Sequence, residues 1–163
     1  MTLLRTLFFS ITALWLGGCA LLPTSAIKPG MSREAVVSQM GLPRAVAALP
    51  NGTRLQYSGQ PRGQFAYMVD LDAADRVVDV RQVLSEREFA RAVPGLWTQA
   101  DVLREFGPPA FVEHVASWKG DILTYRWRDQ QDMFYWFYLD AAQVVQRAHP
   151  GVEERRILRD FFP

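Results

Sequence analysis

The sequence predicts an α+β fold of two tandem repeats, each with one or two short helices packed on a small antiparallel β-meander, behind a signal peptide. Three observations carry this. The stretch Ser32 to Gly41 recurs as Thr98 to Gly107, at a spacing of 66 residues. After each copy the apolar spacing changes from helical to alternating. The chain also opens on a short apolar run that ends in small residues before Cys19, its single cysteine.

Residues 1–18 read as the signal. One positive charge at Arg5 precedes an uncharged run from Thr6 to Leu16, followed by Gly17 and Gly18. The uncharged residues between Arg5 and Cys19, coiled as a helix, reach roughly 20 Å against roughly 30 Å of bilayer hydrocarbon, too short for a permanent span. The order Leu16-Gly17-Gly18-Cys19 resembles the lipobox of bacterial lipoproteins. That resemblance implies a diacylglyceryl group on the Cys19 sulfur and Cys19 as the mature N-terminus. Each buried methylene adds about 0.8 kcal/mol, so two or three acyl chains hold the protein on a membrane. An unmodified lone thiol in an oxidising compartment would be a liability. Ala20, where an aspartate would imply retention at the inner membrane, implies the periplasmic face of the outer membrane. The covalent lipid is the one non-protein group expected, with no cofactor and no metal.

Without the signal the chain keeps 17 acidic and 17 basic side chains, since only Arg5 is lost. Such a balance disfavours nucleic acid as a partner. A composition 49% hydrophobic and 12% aromatic is enough for one or two small cores. With one cysteine, no disulfide framework is available.

Residues 19–26, with Pro23, Thr24 and Ser25, read as a lipidated N-terminus and flexible linker. The first repeat spans 27–84. Ser32 caps a helix over Arg33 to Met40, Glu34 places negative charge in its first turn, and Gly41 ends it in a left-handed conformation. Strands follow at Arg44 to Ala48, Thr53 to Tyr57, Phe65 to Leu71 and Arg76 to Leu84, with Asn51-Gly52 as a hairpin turn. The second repeat spans 85–150. It opens on a capping box at Ser85-Glu86-Arg87-Glu88, with Phe89 behind it. Thr98, Asp101 and Gly107 then repeat the roles of Ser32, Glu34 and Gly41. Strands are expected at Ala110 to Ser117, Asp121 to Arg128, Asp132 to Leu139 and Val144 to His149. Residues 151–163 form a C-terminal tail whose Ile157, Leu158, Phe161 and Phe162 need cover.

Pro29-Gly30-Met31-Ser32 with Val36, Val37, Gly41 and Pro43, after a lipobox, resembles the BamE family, also called SmpA/OmlA. The second copy has one more residue between Gly95 and Thr98, filled by Trp97. The resemblance covers most of the mature chain as two units, where typical members have one. It implies a small outer-membrane lipoprotein without enzymatic activity that helps assemble or stabilise outer-membrane proteins and the envelope. Its partners would be the membrane, through the lipid, and proteins such as the β-barrel assembly machinery, with no small-molecule substrate. Tandem copies of this fold are also similar to β-lactamase inhibitory protein, which implies the alternative of an inhibitor or sensor of a periplasmic enzyme.

Catalytic motifs are sparse. His114 and His149 lie far apart in sequence without a ligand pattern. Ser25-Ala26-Ile27-Lys28 matches S-x-x-K but lacks the companion motifs of the serine enzymes that use it. Asp70, Asp72, Asp75 and Asp79 lack the glycine and glutamate of a calcium loop and read as a solvated hairpin end. The informative stretch is Phe134-Tyr135-Trp136-Phe137-Tyr138, apolar on both faces. Aligning Leu71 with Leu139 puts Tyr135 and Phe137 on the helix-covered side and Phe134, Trp136 and Tyr138 on the other. On the preceding strand, Thr124, Arg126 and Arg128 then point outward with them. Arg126, Arg128, Phe134, Trp136 and Tyr138 are the candidate partner-binding residues, being of types that concentrate interface energy.

Overall fold

The computed structural model describes residues 26–153. The signal, Cys19 and residues 154–163 of the tail lie outside the described residues. In chain order the elements are α1 (Arg33–Met40), β1 (Ala45–Leu49), β2 (Gly52–Ser58), β3 (Ala66–Asp72), β4 (Val77–Gln82), α2 (Glu86–Phe89), α3 (Gln99–Phe106), β5 (Phe111–Glu113), β6 (Ile122–Arg128), β7 (Asp132–Leu139) and β8 (Val145–Val152). The strands form two four-stranded sheets, β1-β2-β3-β4 and β5-β6-β7-β8, antiparallel throughout. The fold is therefore α+β with two sheets.

The helices begin where capping chemistry starts them. Ser32 Oγ accepts from Ala35 N, and Thr98 and Asp101 exchange bonds as a capping box. The two bonds from Thr98 to the Asp101 carboxylate hold that group below the usual carboxylate range. At the other end, Gly41 and Gly107 have φ of +78° and +76°, as expected, but ψ of −169° in place of a left-handed helical value. This extended ψ leads the chain out of the helix toward the next strand. In each half a tyrosine then ties helix to sheet. The Tyr57 hydroxyl donates to Gly41 O at 3.1 Å and the Tyr125 hydroxyl to Gly107 O at 2.6 Å. Burial pushes the Tyr125 hydroxyl far above its ordinary pKa and keeps it a donor.

The hairpins also match. Asp72 accepts from Ala74 N and Arg76 N, as Asp140 does from Ala142 N and Val144 N. Gly52 and Gly120 pass so close to the neighbouring strand that an added Cβ would lie 1.9 Å from Leu71 O and 2.0 Å from Leu139 O. Any larger residue there must displace backbone.

Two apolar clusters fill the interior. In the first, Val36 and Met40 of α1 join Ile27, Leu55, Tyr57, Val69, Leu71 and Val77. In the second, Phe89 of α2 and Val102 and Phe106 of α3 join Leu123, Tyr125, Trp127, Tyr135, Phe137 and Leu139, together with Ala66 and Met68 of β3. Because β3 alternates, Val69 and Leu71 serve the first cluster while Ala66 and Met68 serve the second. Side chains of α2 and α3 are thus buried between the two sheets.

The outer face of the first sheet is polar where the end of α3 meets it. Arg54 donates to Asp70 at 2.6 and 2.8 Å and to Arg104 O at 3.1 Å, while Gln56 donates to Leu103 O and Arg104 O. Both carbonyls belong to the last helical turn, which carries the negative end of the dipole; Leu103 O also accepts from Gly107 N at 2.9 Å, whereas Arg104 O relies on these side chains. Asp70 is accordingly buried, a correction to its reading as part of a solvated hairpin end.

Most strand limits fall within a residue of expectation, β4 ends two residues early at Gln82, and the largest differences are in β5 and β8. β5 ends at Glu113, and the following loop brings Trp118 back so that its Nε1 donates to Leu139 O at 2.6 Å. β8 continues past 150 to Val152, its Pro150 tolerated because β8 lies at the sheet edge.

Candidate docking face on the second sheet

Register decides which side chains share the outer face of the second sheet. Thr124, Arg126 and Arg128 of β6 pair with Trp136, Phe134 and Asp132 of β7, and Ile122 pairs with Tyr138. Trp136 and Tyr138 pair on their other side with His149 and Arg147 of β8. Successive residues alternate faces, so these side chains lie on one side, opposite the buried Tyr125, Tyr135 and Phe137.

Depth within that face varies. Trp136 and Tyr138 are half-buried and Arg128 is exposed, whereas Phe134 is 2% and Arg126 9% exposed. Arg126 points outward in register, but its donors are taken. Nε and Nη2 bind the Glu153 carboxylate at 2.9 and 2.6 Å, and Nη1 binds Pro61 O at 2.6 Å. Gln60 closes the same end, donating to Arg126 O at 2.6 Å and accepting from Arg126 N at 3.1 Å. Arg126 therefore fastens the two halves of the chain and does not present a free guanidinium. Phe134 lies between Phe111 and Trp136, with ring centroids 6.4 and 5.6 Å away. Arg128 pairs with Asp132 at 2.9 Å, an exposed pair worth a few tenths of a kcal/mol.

Other residues join Trp136 and Tyr138 at the open end. The Arg147 guanidinium carbon sits 4.0 Å from the Tyr138 ring centre and 5.7 Å from that of Trp118. Trp118 meets Tyr138 edge-on at 5.3 Å, and His149 stacks on Tyr138 at 5.4 Å. Glu113, which accepts from Thr124 Oγ1, lines a cavity of about 590 Å³ together with Trp118, Trp136, Tyr138 and Arg147. Gly151 makes the packing possible, because a Cβ there would lie 2.4 Å from Trp136 Cζ3. Alternation from the inward Val145 would place Arg147 and His149 inward as well; the register shift between Tyr138 and Leu139 reverses the phase of β8 and turns them outward, and Trp118 sits in a loop without a periodic signal.

The same positions on the first sheet carry different chemistry. Ala66, Met68 and Asp70 stand where Phe134, Trp136 and Tyr138 stand on the second. The first set is buried beside the α2 and α3 side chains, while no described element lies over Trp136 and Tyr138.

Among the described residues no group of three His, Cys, Asp or Glu side chains could hold a metal. His114 pairs with Asp121 at 2.6 Å at the surface. No described helix is long and apolar enough to cross a membrane.

No family model and no curated protein matches the chain. Among solved structures it is similar to a DUF4309 family protein (YjgB) from Bacillus subtilis, at 15% identity over 75% of this chain and 78% of that one, with a TM-score of 0.30.

Proposed function

We propose that this chain is a non-catalytic protein-docking module of the outer membrane. It is held on the periplasmic face by a lipid on Cys19 and acts in outer-membrane protein assembly or envelope integrity. In this reading 27–84 and 85–150 are two BamE-like units, each a helix-covered meander. The observation that carries it is the contrast between the two outer faces. The first is small, polar and filled from within the chain; the second is aromatic, with Trp136, Tyr138 and Trp118 around a cavity. Clustered Trp, Tyr and Arg side chains are what concentrated binding energy requires.

Mild-detergent co-purification from outer membranes, read by mass spectrometry, tests the docking role. The parent is expected to bring down barrel-assembly subunits, and a Trp136→Ala/Tyr138→Ala variant severalfold less of them. Arg126 is left intact because replacing it would strand Glu153 and loosen the fold. Recovery of a soluble periplasmic hydrolase would favour the inhibitor or sensor reading, and equal recovery with both proteins would remove the face from the account. Metabolic labelling with palmitate tests the anchor: Cys19→Ala is expected to lose the label, and a variant labelled like its parent would exclude lipidation at that position.

A further inference from the structure

The segment that follows β4 is repeated after β8. Ser85-Glu86-Arg87-Glu88-Phe89-Ala90-Arg91 corresponds to Glu153-Glu154-Arg155-Arg156-Ile157-Leu158-Arg159 at the offset that relates Val77 to Val145. Glu86, Arg87 and Arg91 recur unchanged as Glu154, Arg155 and Arg159, and the apolar Phe89 recurs as Ile157. Each segment then reaches a proline, Pro94 or Pro163, just after an apolar residue.

In the first occurrence the role of the segment is visible. Capped by Ser85, α2 buries Phe89 completely in the cluster that contains Ala66 and Met68 of the first sheet's outer face. Arg81 of β4 lies 3.7 Å from Glu88 and helps hold the segment there. The equivalents of Ala66 and Met68 on the second sheet are Phe134 and Trp136 of the open face.

The second occurrence starts at that face. The Glu153 carboxylate is fixed there by Arg126 and receives Gln64 Nε2 at 3.3 Å. The ten residues beyond it reach roughly 15 Å as a helix, about the length of β7 from Phe134 to Tyr138. Ile157, Leu158, Phe161 and Phe162 supply the apolar side chains that such a cover needs. We propose that residues 154–163 are the occupant of the outer face of the second sheet, over Phe134 and Trp136, as the α2 segment is the occupant of the face that holds Ala66 and Met68. A partner at this face meets the tail first, so the two compete; only this consequence rests on the docking role proposed above.

Hydroxyl-radical footprinting of the purified full chain tests the seat without any partner. In an Ile157→Asp/Phe161→Asp variant, oxidation of Trp136 and Tyr138 is expected to rise severalfold while the buried Trp127 keeps the parent's rate. Equal rates at Trp136 in parent and variant overturn the proposal. So does protection in the parent that disappears on dilution, which would show a second copy on the face. Should Trp127 also become reactive, a chain ending at Glu153, which loses no residue of either core, is compared with and without a synthetic peptide of residues 154–163. Restored protection of Trp136 by the peptide supports the seat, and no effect of the peptide overturns it.

Discussion

Phe89→Ala is expected to destabilise the protein by about 3–5 kcal/mol, the range for removing a fully buried aromatic ring. The ring stacks on Tyr135 with centroids 4.3 Å apart, lies 5.0 Å from Phe106, and meets Trp127 and Phe137 edge-on at 6.1 and 5.9 Å. It belongs to the same buried cluster as Ala66 and Met68, so it sits where the two halves share a core. The four residues of α2 are too few to be helical by themselves, and the packed ring is what holds the segment in place. Urea unfolding followed by circular dichroism should show the midpoint fall. The loss of the shared core should also bring sheet unfolding apart into two phases, because the first sheet retains its own cluster around Val36, Leu55 and Val69.

Arg54→Ala is expected to cost a comparable amount, about 3–5 kcal/mol, by leaving the buried Asp70 carboxylate without its close cation. Arg54 is 3% exposed and bridges Asp70 at 2.6 Å and Glu105 at 3.0 Å while capping the Arg104 carbonyl. Glu105 keeps Arg91 and Arg104 at 3.5 Å, whereas Asp70 is left with Arg81 at 3.9 Å, too far to replace the forked bond. Glu105 belongs to α3 and Asp70 to the first sheet, so the substitution releases the helix end from the sheet. Gln56, which donates to the same carbonyls, limits the loss. Arg54→Lys should recover only part of it, because an ammonium cannot hold the forked geometry on Asp70. Thermal melting should order the three proteins as parent, Arg54→Lys and Arg54→Ala, from most to least stable.

The limits of β7 and the two faces along it, Tyr135 and Phe137 inward and Phe134, Trp136 and Tyr138 outward, were legible residue by residue. Phe89 was legible behind its capping box, whereas the role of Arg54 was not. A polar outer side ordinarily means a wetted sheet. Here it means a sheet that receives a helix end, because guanidinium and amide groups match the carbonyls that a helix leaves unbonded. Nothing local distinguishes the two cases; the difference lies in α3, some fifty positions downstream. Arg126 shows the same effect on the second sheet. Its outward direction was legible, but its burial depends on Glu153, 27 residues later, and on Gln60 and Pro61 in the first half. β5 stopped early for a local reason. Beyond Glu113, His114 binds Asp121 and the loop turns to place Trp118 against Tyr138, a contact without periodicity. The caps and the paired glycines were legible because their chemistry is carried by neighbouring residues.

Site-specific photo-crosslinking in cells tests most directly whether the open aromatic face is where this protein meets others. A benzophenone amino acid placed at Tyr138, within the face, is compared with one at Gln39, on the exposed side of α1. A discrete adduct with an outer-membrane assembly subunit at position 138 and none at position 39 is the predicted result. Absence of an adduct at 138, or the same adduct at both positions, would contradict it.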